Sequence, residues 1–178
     1  MLNIELKARC QDLGGLREAC RSLGAESQEP DRQLDTYFGV SHGRLKLRES
    51  LLSGAEVIFY ERADIAGARE SHYETCAVEE AEGLKAILKK ALGVRAVVAK
   101  RREIFVIGSV RIHLDKVQGL GTFVELEGIV EDPAGLMEID NEVRGLQRAL
   151  GIDDQSLIKE SYSDLIAIAE QAGEPRAS

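Results

Sequence analysis

The sequence predicts an α+β domain in which an eight-stranded antiparallel β-barrel encloses a tunnel and helices pack on the outside. Three observations lead to this fold class. About eight segments alternate apolar and polar residues, as strands with one buried face do. Many of these segments are separated by gaps of turn length, which favours antiparallel pairing and closure into a barrel. Four other segments carry the apolar spacing and end signals of helices.

The strands are predicted from the period-two alternation alone. They cover roughly residues 2–9, 34–40, 43–50, 55–62, 70–78, 96–106, 109–117 and 122–130. No linker, low-complexity segment or strong repeat divides the chain. We therefore expect a single domain over 1–172 and a disordered tail over 173–178.

Three helices are predicted to end at a Leu-Gly pair, where a glycine can adopt the left-handed cap conformation. The first follows Asp12 as N-cap. The second, EEAEGLKAILKKALG, aligns an apolar face made of Leu84, Ile87, Leu88, Ala91 and Leu92. The third opens with Asp132 as cap and a proline in its first turn. A fourth helix is predicted to begin at Ser161, with Asp164 completing a capping box.

Composition excludes several classes of protein. The net charge of −8 argues against a general binder of nucleic acids or anionic membranes, and the 4% aromatic content leaves few platforms for base stacking. The odd number of cysteines, three, without metal-ligand spacing indicates reduced thiols. The N-terminus lacks the apolar region of a signal peptide, and no apolar run reaches the roughly 20 residues of a membrane span. We expect a cytoplasmic protein, and leave a homodimer open.

The polar faces of the strands carry the functional signal. In VRIHLDKVQGLGTFVELE, alternate positions of one strand give Arg111, His113 and Asp115, and the next strand gives Glu125 and Glu127. The N-terminal strand places Asn3, Glu5, Lys7 and Arg9 on one face. In VVAKRREIF the polar face holds either Lys100 with Arg102 or Arg101 with Glu103, and the alternation does not decide between them. EVIFYERAD is similarly ambiguous, although one register places Tyr60 and Arg62 on the same face.

An open antiparallel sheet with one solvent-exposed face also alternates apolar and polar residues, without any function. Two features argue against that interpretation. Arg44, Lys46 and Arg48 follow one another about 7 Å apart, and each adjacent pair repels by ~2.4 kcal/mol at an effective dielectric of 20. The bases also lie on strands separate from the acid pair Glu125 and Glu127. Like charges inside a bore need a compensating anion, so we expect a polyphosphate chelated to Mg²⁺ or Mn²⁺.

The motifs NIELKAR, QLDTYF, GRLKLRES, YERAD, the KRR strand, HLDKVQGLGTFVELE and KESYSDLI resemble, in this order over residues 3–166, the CYTH domain. This is the fold of the triphosphate tunnel metalloenzymes, which include class IV adenylyl cyclases and thiamine, inorganic and RNA triphosphatases. The resemblance implies a tunnel whose bases bind a triphosphate and whose acids bind one or two divalent metal ions.

The resemblance also assigns roles to residues of this chain. It implies that the triphosphate is bound by Lys7, Arg44, Lys46, Arg48, Arg62, Lys100, Arg102 and Arg111. It implies metal binding by Glu5, Glu125 and Glu127, and a catalytic role for these three acids and Asp115. Asn3 stands where the family has a first acid, which puts one metal contact in doubt. Lys159, Ser161 and Tyr162 match a segment that helps to close the tunnel mouth.

Other residues receive no chemical role at this stage. Gln33 and Asp35 match a family motif but are assigned no chemistry, and His113 is interpreted as a hydrogen-bonding neighbour. The expected activity is that of a class IV adenylyl cyclase, which converts ATP to cyclic AMP and pyrophosphate. The alternatives are a triphosphatase acting on inorganic, thiamine or nucleoside triphosphate, and a non-catalytic module that binds polyphosphate or nucleotide.

Overall fold

The alternating segments form one antiparallel sheet in the computed structural model, which describes residues 1–173. Its strands are β1 (Leu2–Arg9), β2 (Glu26–Ser27), β3 (Asp31–Phe38), β4 (Arg44–Ser50), β5 (Gly54–Arg62), β6 (Arg69–Val78), β7 (Val94–Ile107), β8 (Val110–Val117) and β9 (Gly121–Val130). The helices are α1 (Leu13–Ser22), α2 (Ala81–Leu92), α3 (Leu136–Ala149) and α4 (Tyr162–Gln171).

The sheet closes on itself, as predicted. Eight strands pair in the cyclic order β7-β3-β4-β5-β6-β1-β9-β8, and the pairing of β8 with β7 completes the ring. Each neighbouring pair is antiparallel. The two-residue strand β2, which the alternation did not predict, joins the edge of β7 at Val106. Closure pairs the backbone groups that an open sheet would leave at its edges.

The outward faces of β1, β8 and β9 are apolar because helices cover them. Leu6, Ile112 and Leu126 are fully buried there and belong to one core with Val143 of α3. Gly128 lets α3 approach the sheet closely, since a Cβ at this position would collide with side chains of the helix. The apolar residues of these strands therefore face the outside of the barrel, beneath the helices.

Helix α4 closes one end of the barrel. Its first residue, Tyr162, packs with Leu165 and Ile166 against Val98 and Phe123, which point inward from β7 and β9. The predicted capping box is present, because the Ser161 hydroxyl accepts from the backbone of Asp164 while the Asp164 carboxylate accepts from the backbone of Ser161. The local sequence thus fixes where this closing helix begins.

Two helix predictions need correction. The residues after Asp132 form a 3₁₀ turn over Pro133–Gly135, and α3 begins only at Leu136. The apolar face of α2 is not buried: none of its residues is buried, and Ile87 is 64% exposed. Helix α2 packs mainly against β3 and β4, so its apolar stripe is wider than the surface it covers.

No helix in the described part of the chain is long and apolar enough to cross a membrane. A single sheet carries all the strands found within residues 1–173. The domain end at residue 172 remains a prediction, and the predicted tail at 173–178 lies, except for Gly173, outside the described residues.

Candidate functional site

The inward faces of the strands surround a cavity of about 490 Å³. Ten of the predicted site residues line it: Glu5, Lys7, Lys46, Arg48, Arg62, Lys100, Arg102, Arg111, Glu125 and Glu127. The register left open for β7 is also resolved, since Lys100 and Arg102 face the cavity while Glu103 pairs outside the barrel with Arg17 of α1. The fold therefore brings most of the predicted site together in one bore.

A first cluster of charges surrounds Asp35 of β3. Its carboxylate accepts from Arg48 at 2.8 and 2.9 Å, from Lys100 at 2.6 Å and from Lys46 at 3.2 Å. The neighbouring strand β3 therefore supplies an acid to the bases of β4, which have none on their own strand between them. Burial opposes ionisation of Asp35, but the three cations outweigh it and hold its pKa well below the ordinary value.

A second cluster lies beside the first, on β1, β7, β8 and β9. Arg102 donates to both oxygens of Asp115, at 2.7 and 2.6 Å, and to Glu125 at 2.5 Å. Lys7 pairs with the other oxygen of Glu125 at 2.9 Å and lies over the ring of Tyr162. Despite burial, Lys7 and Arg102 hold the pKa of Glu125 well below its usual range.

Asp115 is fully buried and does not line the cavity. Besides Arg102, it accepts a hydrogen bond from the Tyr162 hydroxyl at 2.8 Å. Burial and the Asp115 charge raise the pKa of that hydroxyl well above its ordinary value, so Tyr162 remains a donor. The contacts of Asp115 fix the guanidinium of Arg102 and the start of α4.

Glu5 lies on the same wall as a basic residue that the sequence reasoning missed. Arg69, at the start of β6, donates to Glu5 at 3.2 and 3.3 Å, and Arg62 approaches the same oxygen at 3.1 Å. Arg69 is 3% exposed, and burial lowers its pKa. The alternation of Arg69, Ser71 and Tyr73 along RESHY is the signal that would have placed this arginine inside.

Of the predicted metal ligands, Glu127 lies with Asn3 and Arg111 at a rim of the bore. Glu5 and Glu125 are bound by cations that also contact α4 or the segment before it. Glu127 stands directly across from Glu5 in the β1–β9 pairing and accepts from Asn3 Nδ2 at 2.6 Å. His113 lies between two acids, with its ring nitrogens 3.7 Å from Glu125 and from Glu127. Arg111 is half-exposed at this rim, 3.8 Å from Glu127.

The oxygen donors at this rim suit a hard divalent cation. Directly opposed residues of paired strands have Cβ atoms about 5 Å apart, so Glu5 and Glu127 can reach a common ion. The side-chain oxygen of Asn3 is buried without a hydrogen-bond partner, which is the condition of an unused ligand. No three His, Cys, Asp or Glu side chains within residues 1–173 form a ready metal cluster, since Arg62, Arg69, Lys7 and Arg102 hold two of the acids.

Arg44 does not line the cavity with the other predicted bases. Its guanidinium binds Asp64 at 2.8 Å and Asp164 at 2.9 Å, at the end of the barrel that α4 covers. Asp164 also accepts from Arg95 of β7 at 2.6 Å. Arg62 likewise donates to the carbonyl of Lys159, so the segment before α4 is tied to the barrel, as the resemblance implied.

Comparison with known proteins agrees with this architecture. The chain is 27% identical over 172 residues to adenylate cyclase CyaB of Aeromonas hydrophila, covering 91% of this chain and 87% of that protein. The solved structure of PH1012 from Pyrococcus horikoshii superposes with a TM-score of 0.80 at 26% identity, over 92% of this chain and 98% of that one.

A more distant structure shares the fold alone. It is a Hippeastrum protein described as an adenylyl cyclase candidate with a dominant triphosphatase activity, with a TM-score of 0.63 and 12% identity over 97% of each chain. The model of the CYTH domain family matches residues 1–162, which include every barrel strand. This chain therefore belongs to the CYTH domain family.

Proposed function

We propose that this protein is a divalent-metal-dependent enzyme that binds ATP in its tunnel and converts it to cyclic AMP and pyrophosphate. The observation that carries the proposal is the convergence of basic side chains from five strands on one cavity that is closed at one end. The similarity to the Aeromonas cyclase, over nearly the whole of both chains, supports the choice of ATP and of cyclisation.

The bases on the tunnel wall serve the triphosphate in this proposal. Lys46, Arg48 and Lys100 form one group, and Lys7 and Arg102 form a second group beside it. Guanidinium and ammonium groups bind phosphate oxygens through charge-assisted hydrogen bonds. When the ribose 3′-oxygen bonds to the α-phosphorus and pyrophosphate leaves, these cations stabilise the charge on the leaving group. The hydroxyl proton passes to solvent at the open end.

The acids of β1 and β9 are assigned to the metal. Glu5, Glu127 and the side-chain oxygen of Asn3 would hold it, and Glu125 would join if it left Lys7 or Arg102. When bound, Mg²⁺ or Mn²⁺ would supply a positive charge that offsets the negative charge of the phosphates. Asp115 acts through Arg102, whose guanidinium it orients toward the bore.

The second candidate function is hydrolysis of a triphosphate by water at the γ-phosphorus. It is favoured by the lining of the cavity, whose charged side chains suit phosphate groups. The chain contains no Trp on which an adenine base could stack. The Hippeastrum protein shows that this fold is compatible with a dominant triphosphatase activity. A non-catalytic module is the third candidate, favoured by Asn3 at the position of an acid.

One experiment separates the three functions. The protein is incubated with ATP, and separately with tripolyphosphate, in the presence of Mg²⁺ or Mn²⁺, and the products are resolved by chromatography. Cyclic AMP with pyrophosphate supports the cyclase, orthophosphate supports the triphosphatase, and bound but unchanged ligand supports the module. Arg111→Gln at the rim should reduce the rate, whereas Arg101→Gln on the outer face of the same barrel is the matched control. Absence of binding to either ligand would contradict all three.

A further inference from the structure

The motif QLDTYF has no role in the function proposed above, yet it forms the inward face of β3. Gln33, Asp35 and Tyr37 all line the tunnel cavity. Asp35 is 1% exposed, so its charge is taken out of water almost completely. A buried carboxylate is costly unless it is paired, and here three cations surround it.

The geometry around Asp35 gathers its partners from two different strands. Both ammonium groups, of Lys46 and Lys100, bind the same carboxylate oxygen, and Arg48 spans both oxygens. Three cations and one carboxylate leave a net charge of about +2 on this wall of the bore. Such an excess attracts an anion, and the carboxylate keeps the three cations together until one arrives.

We propose that Asp35 is a positioning residue, which holds Lys46, Arg48 and Lys100 charged and aimed into the tunnel as one phosphate-binding cradle. This inference rests on the proposed binding of a triphosphate in the bore. It assigns the acid of the QLDTYF motif a role that neither metal binding nor contact with the reacting atoms requires.

The protonation of the two lysines supports this role. Burial and neighbouring cations lower the pKa of Lys100 to about 7 and that of Lys46 to about 8, and Asp35 acts in the opposite direction on both. The charged groups that face Lys100 come from four strands: Asp35, Lys46, Arg48, Arg102 and Asp115. Without the carboxylate, both lysines would lose their protons at a lower pH.

The test compares the wild-type protein with Asp35→Asn in their affinity for tripolyphosphate between pH 6 and pH 9, measured by calorimetry. Each lysine must be protonated to bind, so the affinity falls as pH rises, and in Asp35→Asn the fall should begin at lower pH. We expect the variant to bind within a few-fold of wild type at pH 6 and at least tenfold more weakly at pH 8. Titration of the ligand is common to both proteins and cancels in their ratio.

An equal loss at every pH, or no loss, would overturn the proposal, because a merely structural role gives no pH-dependent ratio. If Asp35→Asn does not fold, Lys46→Met provides the test with opposite sign. Removing this cation reduces the repulsion that lowers the pKa of Lys100, so the fall in tripolyphosphate affinity should move to higher pH. An unchanged affinity profile would overturn the inference. Lys116→Met, on the exposed outer face of β8, is the control and should match wild type.

A wild-type protein that binds no tripolyphosphate at any pH would reject the proposed function, and the cradle with it. That outcome differs from normal binding with identical pH profiles, which rejects the role of Asp35 alone. NMR titration of the Lys100 ammonium in the ligand-free proteins gives an independent measurement. We expect a lower midpoint in Asp35→Asn than in wild type, and equal midpoints would contradict the proposal.

Discussion

Asn3 stands where the resemblance to the family's N-terminal motif implies an acid, and its contacts lead to a measurable consequence. Its amide nitrogen donates to Glu127 at 2.6 Å, while its oxygen has no partner. We expect Asn3→Glu to lower the stability of the metal-free protein, because two carboxylates would then face each other. The metal concentration for half-maximal rate should fall about tenfold if the added charge contributes ~1.4 kcal/mol. Melting curves with and without Mn²⁺ provide a readout besides activity, and superimposable metal titrations would place Asn3 outside the site.

The two acids of β9 should behave differently when neutralised, although both are proposed metal ligands. Glu127→Gln should remove most activity and leave the melting temperature nearly unchanged, since the charged neighbour of Glu127, Arg111, is half-exposed and 3.8 Å away. Glu125→Gln should also destabilise the fold, by about 3 kcal/mol, because Lys7 and Arg102 would remain buried with less negative charge. Urea denaturation monitored by circular dichroism measures the difference, and equal stabilities would contradict it.

At the scale of elements, Asp164 connects α4 to the barrel. It completes the capping box at the start of the helix and binds Arg44 and Arg95 on two strands. Despite partial burial, these hydrogen bonds and cations lower its pKa. Asp164→Ala should therefore cost about 1–2 kcal/mol of stability, because it removes one half of the capping box and both ion pairs with the barrel, while the Ser161 hydroxyl cap remains. Asp153→Ala, at the cap of a short 3₁₀ turn, is a matched control that should cost less in the same denaturation assay. Equal losses would show that the ties to the barrel contribute nothing.

The sequence predicts the strands well because the alternation of apolar and polar residues is a local signal. It does not predict which side chains of different strands come into contact. The alternation in NIELKAR places Glu5 and Lys7 inside without further information. Nothing in GRLKLRES indicates that Asp35 on another strand neutralises its bases, because that depends on which strands become neighbours. The same reasoning missed Arg69, and it overestimated α2, whose apolar residues have too little surface to cover. The resemblance assigns Arg44 to the triphosphate, yet in the fold Arg44 binds acids at the closed end.

For the whole molecule, closure of the barrel explains why a chain with a net charge of −8 can concentrate bases at one site. The wall of the tunnel lies in a confined, poorly hydrated space, where charges interact more strongly than on an open surface. The apolar core lies outside the barrel, beneath α1 and α3, so the bore need not be apolar for the protein to fold. The polar interior is therefore free to serve a ligand, but its charges reduce the stability of the empty protein.

This cost should appear in the pH dependence of stability. The folded pKa values of about 8 for Lys46 and about 7 for Lys100 lie below the value of about 10.4 for an unfolded lysine. Between pH 7 and pH 9 the unfolded chain therefore binds more protons, and the free energy of unfolding should rise by up to ~1.4 kcal/mol per pH unit for each lysine. Saturating tripolyphosphate should reduce this rise, because bound phosphate keeps both lysines charged in the folded state. Scanning fluorimetry across this range measures both effects, with the double variant Lys46→Met/Lys100→Met as the control that should show a flatter profile. A wild-type melting temperature that falls or stays constant from pH 7 to pH 9, in the absence of ligand, would contradict the assignment of these two buried lysines as the source of strain in the empty tunnel.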